Sequence, residues 1–130
     1  MFKNKAFTLT ELLVTVALVI LLSVISFVTY RSYVEKAVVI EGLDLLQAVH
    51  AAEQLYYVRS GRSNYIVHSG GVWKKFGLDF RGNKYFTAFT AIPNLSQHNF
   101  IVRTQYNGKT MSLTGYPDRA PVIDNPFGDI

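Results

Sequence analysis

One carboxylate in this sequence stands where a carboxylate is costly. Glu11 lies at the mouth of an uncharged run, Leu12 to Tyr30, and follows Lys5-Ala6-Phe7-Thr8-Leu9-Thr10. An acid just inside so apolar a stretch costs a few kcal/mol in a membrane unless it is paired or neutralised. A cation held against it at low dielectric would bind strongly. Thr8-Leu9-Thr10-Glu11 is also a capping box, and an acid in the first turn suits the helix dipole. Glu11 can therefore pair with a cation, start a helix, or do both.

Little else in the chain offers chemistry. With Cys 0, disulfides, thiolate zinc sites and cysteine nucleophiles are excluded. Of the three histidines, His50 falls one residue from a helical apolar face. His68 and His98 sit in loop-like or strand-edge sequence, with no second ligand at metal spacing. Ser60, Ser63 and Ser69 lack the strand–turn–helix context of a nucleophile elbow. Asp118, Asp124 and Asp129 lie among prolines and glycines and could hold calcium. Their spacing matches no EF-hand loop, and a solvated acidic tail is the plainer reading. No nucleophile, acid/base pair or metal set converges, so the expectation is a protein that is not an enzyme and needs no cofactor or metal.

The elements that must position Glu11 follow from composition. The chain has 130 residues, 49% of them hydrophobic and 17% charged, too apolar for a disordered segment. The hydrophobicity is concentrated in Leu12–Tyr30, a run long enough to cross a bilayer as a helix. Lys3 and Lys5 precede it, which places the N-terminus on the cytoplasmic side. A cleaved secretory signal would end in small residues of the A-x-A kind, and SFVTYRSYVEK offers no such site.

The helix is expected to continue beyond the membrane. From Arg31 to Ser60 there is no proline and a single glycine, Gly42. Val34, Val38, Gly42, Leu45, Val49, Ala52 and Tyr56 recur at helical spacing as one apolar face, with Glu35, Glu41, Asp44 and Glu53 mostly off it. Gly61 is a candidate C-terminal cap. A helix from about Thr8 to about Arg59 would be roughly 75–80 Å long, and half of it would need lipid or other subunits as cover.

Residues 61–130 read as a small head. KYFTAFTAI (84–92), NFIVRTQY (99–106) and KTMSLTG (109–115) predict three antiparallel strands packed on the second half of the helix, with Asn107-Gly108 as a hairpin turn. Residues 61–83 predict a loop with one short strand or helical turn, and the proline-rich tail an extended segment. The fold class is α+β: a long helix, transmembrane then amphipathic, packed on a small antiparallel sheet. Four segments result: a basic leader 1–6, a membrane half 7–30, an amphipathic half 31–60 and the head 61–130.

Charge divides along the same lines. Residues 59–130 carry nine basic and four acidic side chains, and residues 31–58 carry two and four. Arg59, Arg62, Lys74, Lys75, Arg81 and Lys84 interleave with Tyr65, Trp73, Phe76, Phe80, Tyr85 and Phe86. That mixture can grip nucleic acid, although a solvated surface over an aromatic core is the simpler account. The contrast between acidic helix and basic head also suits packing between subunits.

Basic leader, small residue, Phe, and Glu four positions on, at the edge of a long apolar helix, resemble the N-terminus of type IV prepilins and pseudopilins. The resemblance runs through Tyr30, Tyr33, Glu35-Lys36-Ala37 and the YYVRSG helix end, closely over about the first 61 residues. It implies cleavage by a prepilin peptidase between Ala6 and Phe7 and N-methylation of Phe7. It also implies an assembly role for Glu11, paired with the new amine of its own or a neighbouring chain. The implied protein is a structural subunit of a pilus-like filament that polymerises with itself or other pilins through an assembly machine. Before assembly it would be a single-pass inner-membrane protein; afterwards it would be extracellular, or periplasmic in a pseudopilus. A pseudopilin of a secretion or DNA-uptake system, or a signal-anchored domain that never polymerises, are the alternatives. The chain departs from the family in having Ala6 where Gly is usual, and no Gly or Pro inside the apolar run, with Val28 where Pro would stand. It also lacks the cysteines that pin many family members' C-terminal regions.

Overall fold

The computed structural model describes residues 7–61, 65–94 and 96–128, with the side chain of Ser69 excepted. The leader lysines Lys3 and Lys5, the cleavage residue Ala6, and Arg62, Ser63 and Asp129 lie outside the described residues. The fold is α+β: one long helix, α1 (Leu9–Arg59), and two small antiparallel sheets. The chain divides into two compact units, residues 1–35 and 36–130, each taken here by itself.

In the first unit α1 has no cover. Every residue from Phe7 to Tyr33 is exposed. A helix apolar on all sides has no face to prefer in water; its length and composition suffice to cross a membrane. Four hydroxyls inside the apolar run turn back on their own helix. Thr15 Oγ1 donates to the Leu12 carbonyl at 2.7 Å, Ser23 Oγ to Val19 at 2.7 Å, Ser26 Oγ to Leu22 at 2.8 Å and Thr29 Oγ1 to Ile25 at 3.0 Å.

In the second unit the sequence periodicity becomes a packed face. Val38, Gly42, Leu45, Val49 and Ala52 are buried as the spacing predicts, and Val34 and Tyr56 at the ends of the stripe are half-buried. The buried face is wider than predicted, taking in Val39, Leu46 and Glu53. Gly42 is there for space: a Cβ would lie 2.5 Å from Met111 Sδ and 2.9 Å from the Phe86 ring.

The sheet that covers this face is antiparallel throughout, in the order β1 (His68–Gly70), β4 (Phe89–Asn94), β5 (Asn99–Tyr106), β6 (Lys109–Gly115), β7 (Val122–Asp124). Its centre is β4, β5 and β6. Alternation points Phe89, Ala91, Phe100, Val102, Met111 and Leu113 into the core. The β5–β6 hairpin closes at Tyr106 and Lys109, with Asn107 at φ 50° and Gly108 at φ 75°. Positive φ at both central residues is the mirror-image turn whose twist matches the strands, and it is why Asn-Gly stands there.

Three predicted features change. The first strand begins at Phe89 rather than Lys84, because Glu41 takes the backbone amides of Lys84, Tyr85 and Phe86 out of any ladder. The 61–83 loop holds three short strands rather than one: β1 (His68–Gly70) on the sheet edge, and β2 (Val72–Trp73) paired with β3 (Leu78–Asp79). The tail supplies β7 (Val122–Asp124), a fifth strand beside β6.

Candidate functional site

At the start of α1 the capping box forms in full. Glu11 Oε2 accepts from the Thr8 amide at 2.9 Å and from Thr8 Oγ1 at 2.7 Å, and the Glu11 amide donates back to Thr8 Oγ1 at 3.3 Å. These bonds satisfy amides that the first turn leaves without intrahelical partners. Both bonds to the carboxylate fall on Oε2, and the whole group is exposed. Phe7, itself 77% exposed, lines one shallow hollow with Thr10, Glu11, Val14 and Thr15. Of the predicted site residues, Phe7 and Glu11 thus line one hollow, Phe7 two residues ahead of α1 and Glu11 in its first turn.

Two other acids on α1 matter more than the sequence suggested. The Glu41 carboxylate accepts from three consecutive amides, Lys84 at 3.1 Å, Tyr85 at 2.6 Å and Phe86 at 2.8 Å. That is a ready-made anion nest closed by a side chain, and it fastens the entrance to β4 onto the helix. Glu53, expected off the apolar face, is fully buried on it. Its Oε2 accepts from the Ile66 amide at 3.1 Å, while Oε1 has no hydrogen-bond partner among the described residues. Burial pushes its carboxyl up to about 7, with the Ile66 amide pulling the other way. The signal was present in the spacing, since Glu53 follows Val49 by four residues and Leu46 by seven.

Near Glu53, Tyr65 is buried between Tyr57 and Phe100, with ring centroids 4.6 and 4.7 Å away. Burial, and then the neighbouring Tyr57, Glu53 and Asp118, push its phenol up to about 12. His50 stacks on Phe100 at 5.5 Å, and burial lowers its pKa. His68 lies against Trp73 at 5.3 Å with Nε2 3.1 Å from the Val72 carbonyl oxygen, and His98 is an exposed turn residue at φ 49°. Asp118 and Asp124 are exposed, and no group of three or more metal-ligating side chains occurs among the described residues.

The basic and aromatic residues of the head separate in space. Tyr65, Trp73, Phe80 and Phe86 are core, closed to a stacking base. Arg81 is held by Asp79 at 2.8 Å, and that bond holds the exposed Asp79 carboxyl down to about 2. Lys75 lies 4.4 Å over the Tyr56 ring, in an open hollow with Arg59, Ser60 and Phe76. Compared with known proteins, the chain matches no family model, no curated protein and no solved structure.

Proposed function

We propose that the chain is a structural subunit of a type IV pilus-like filament, cut between Ala6 and Phe7 and polymerised through the first half of α1. The observation that carries this reading is an exposed acid, four residues from Phe7, at the head of a helix with apolar residues on every side. Cleavage would leave an amine on Phe7, beside the hollow it shares with Glu11. Among packed apolar helices that amine and the carboxylate would attract strongly, and only one stagger of neighbours would bring them together. Membrane insertion comes first in this sequence of events, and the peptidase, the assembly machine and other pilins are the partners. A pilus and a secretion or DNA-uptake pseudopilus make the same demands on these residues.

The capping box favours a second reading, an anchored domain that stays monomeric. There Glu11 is spent on Thr8 and starts the helix. Mass spectrometry of the mature N-terminus, with analysis of sheared surface filaments, decides between them. The filament reading expects 124 residues, the 130 less the six before Phe7, recovered in filaments. A full-length chain confined to the membrane overturns it.

A further inference from the structure

The head leaves one face of its own helix uncovered. Opposite the buried stripe, Ile40, Asp44, Gln47, Ala51, Leu55 and Val58 recur at spacings of three and four and are all exposed. Ile40 is 48% exposed, Leu55 44% and Val58 61%. Such a regular seam is the pattern of a helix with a partner, and the one charge within it, Asp44, is the kind of residue that sets register. Among the described residues Asp44 has no ion pair, and neither have Arg59 and Lys75. Those two cations flank the hollow that Tyr56 and Phe76 floor. The edge-on packing of Phe76 against Tyr56, at 6.1 Å between ring centroids, fixes the β2–β3 turn against the helix end. The hollow therefore offers two positive charges over apolar ring surface, and the seam offers one negative charge among apolar side chains.

Resting on the filament reading above, we propose that the occupant of this seam is a second copy of the chain: Asp44 of one copy seats in the Arg59–Lys75 hollow of its neighbour. The charges are complementary and the apolar surroundings match, Ile40 meeting the rings of Tyr56 and Phe76. The contact is heterologous, because seam and hollow are different surfaces, so it propagates along a polymer and does not close on a dimer. For helices running parallel, Asp44 against Arg59 sets a stagger of roughly 22 Å at 1.5 Å per residue.

The test uses the full chain in its host, with Asp44→Arg, Lys75→Glu and the double reversal Asp44→Arg/Lys75→Glu. Each single reversal should cut filament yield at least tenfold at equal expression, and the double reversal should recover most of it. The absence of native cysteine permits a second readout, Asp44→Cys with Lys75→Cys and a short bismaleimide, in filaments and in membranes. A ladder that extends beyond dimers with both cysteines, and is missing with either alone, supports the contact. Normal filaments from Asp44→Arg without any double-cysteine ladder overturn the contact and leave the filament reading standing. A ladder in membranes without filaments overturns the filament reading and leaves the contact. Neither filaments nor ladder overturns both.

Discussion

Two halves of one helix treat acid side chains in opposite ways. In residues 7–34 a single acid, Glu11, sits exposed at the helix start, and none of the described residues of its unit covers the apolar surface behind it. In residues 36–59, Glu41 and Glu53 are absorbed by the head, one by three backbone amides and the other by full burial. The difference separates two kinds of work. Glu41 and Glu53 finish the fold of their own chain. The acid of the first half has a lone-chain role in capping, and the surface around it is complete only when something apolar from outside is added.

The largest expected effect breaks that contrast at Glu11. On the filament reading proposed above, Glu11→Ala and Glu11→Gln should both abolish or cripple filament formation while leaving membrane insertion intact, because the amine that cleavage would leave on Phe7 would be orphaned at about 3–5 kcal/mol. Gln serves at the same position of a capping box. If capping is the whole role, Glu11→Gln should match the parent, and filament yield at equal expression separates the two outcomes.

Glu53 sharpens the other side. Its folded pKa, about 7, lies above the ordinary 4.5, so the folded head holds a proton that the unfolded chain loses first. Stability should be unaffected below pH 4.5, fall as pH rises from 4.5 to 7, and level off above, by about 3 kcal/mol at most. His50, whose folded pKa is lowered, acts in the opposite sense as pH rises toward 6.5, so the parent profile is the sum of the two. Glu53→Gln should remove the carboxyl component and stabilise the head at pH 8 relative to the parent. The measurement is thermal unfolding of the detergent-solubilised chain followed by the fluorescence of Trp73, the sole tryptophan, which is 3% exposed. Equal pH profiles for Glu53→Gln and parent would contradict this.

Glu41→Ala should have the smallest effect, about 2 kcal/mol, because water can reach part of the 84–86 segment and replace some of the lost acceptor. Hydrogen exchange should show the Tyr85 and Phe86 amides losing protection before those of β5. Uniform loss across the sheet would mean that Glu41 supports the whole head, not one entrance to it.

How much of this was legible in the sequence depends on the range of the interaction. The extent of α1 and the 99–106/109–115 hairpin were readable because periodicity, the Thr8–Glu11 box and Asn107-Gly108 are local signals. The start of β4 was not, since 84–88 has strand-forming residues and only a carboxylate 43 positions away, on Glu41, withdraws their amides. Nor was β7, three exposed residues whose pairing with β6 is made entirely through backbone. Glu53 was misplaced because its charge outweighed its spacing: burial raises its carboxyl to about 7, so the group loses much of the cost of a buried charge, which composition cannot reveal. At the candidate site, the neighbourhood of Phe7 and Glu11 was legible, while the Arg59–Lys75 hollow required the β2–β3 turn to be folded against the helix end.

The back-bonded hydroxyls of Thr15, Ser23, Ser26 and Thr29 have a mechanical consequence. Between Leu12 and Tyr30 they are the polar side-chain atoms, and each is already committed to its own backbone. Neighbouring helices in membranes commonly grip one another through such groups. Here the rod is smooth: placed in lipid, it would rotate or slip past an apolar neighbour without breaking a side-chain hydrogen bond of these four residues. A smooth rod has no notches along its length, so the position at which it comes to rest must be set at its ends.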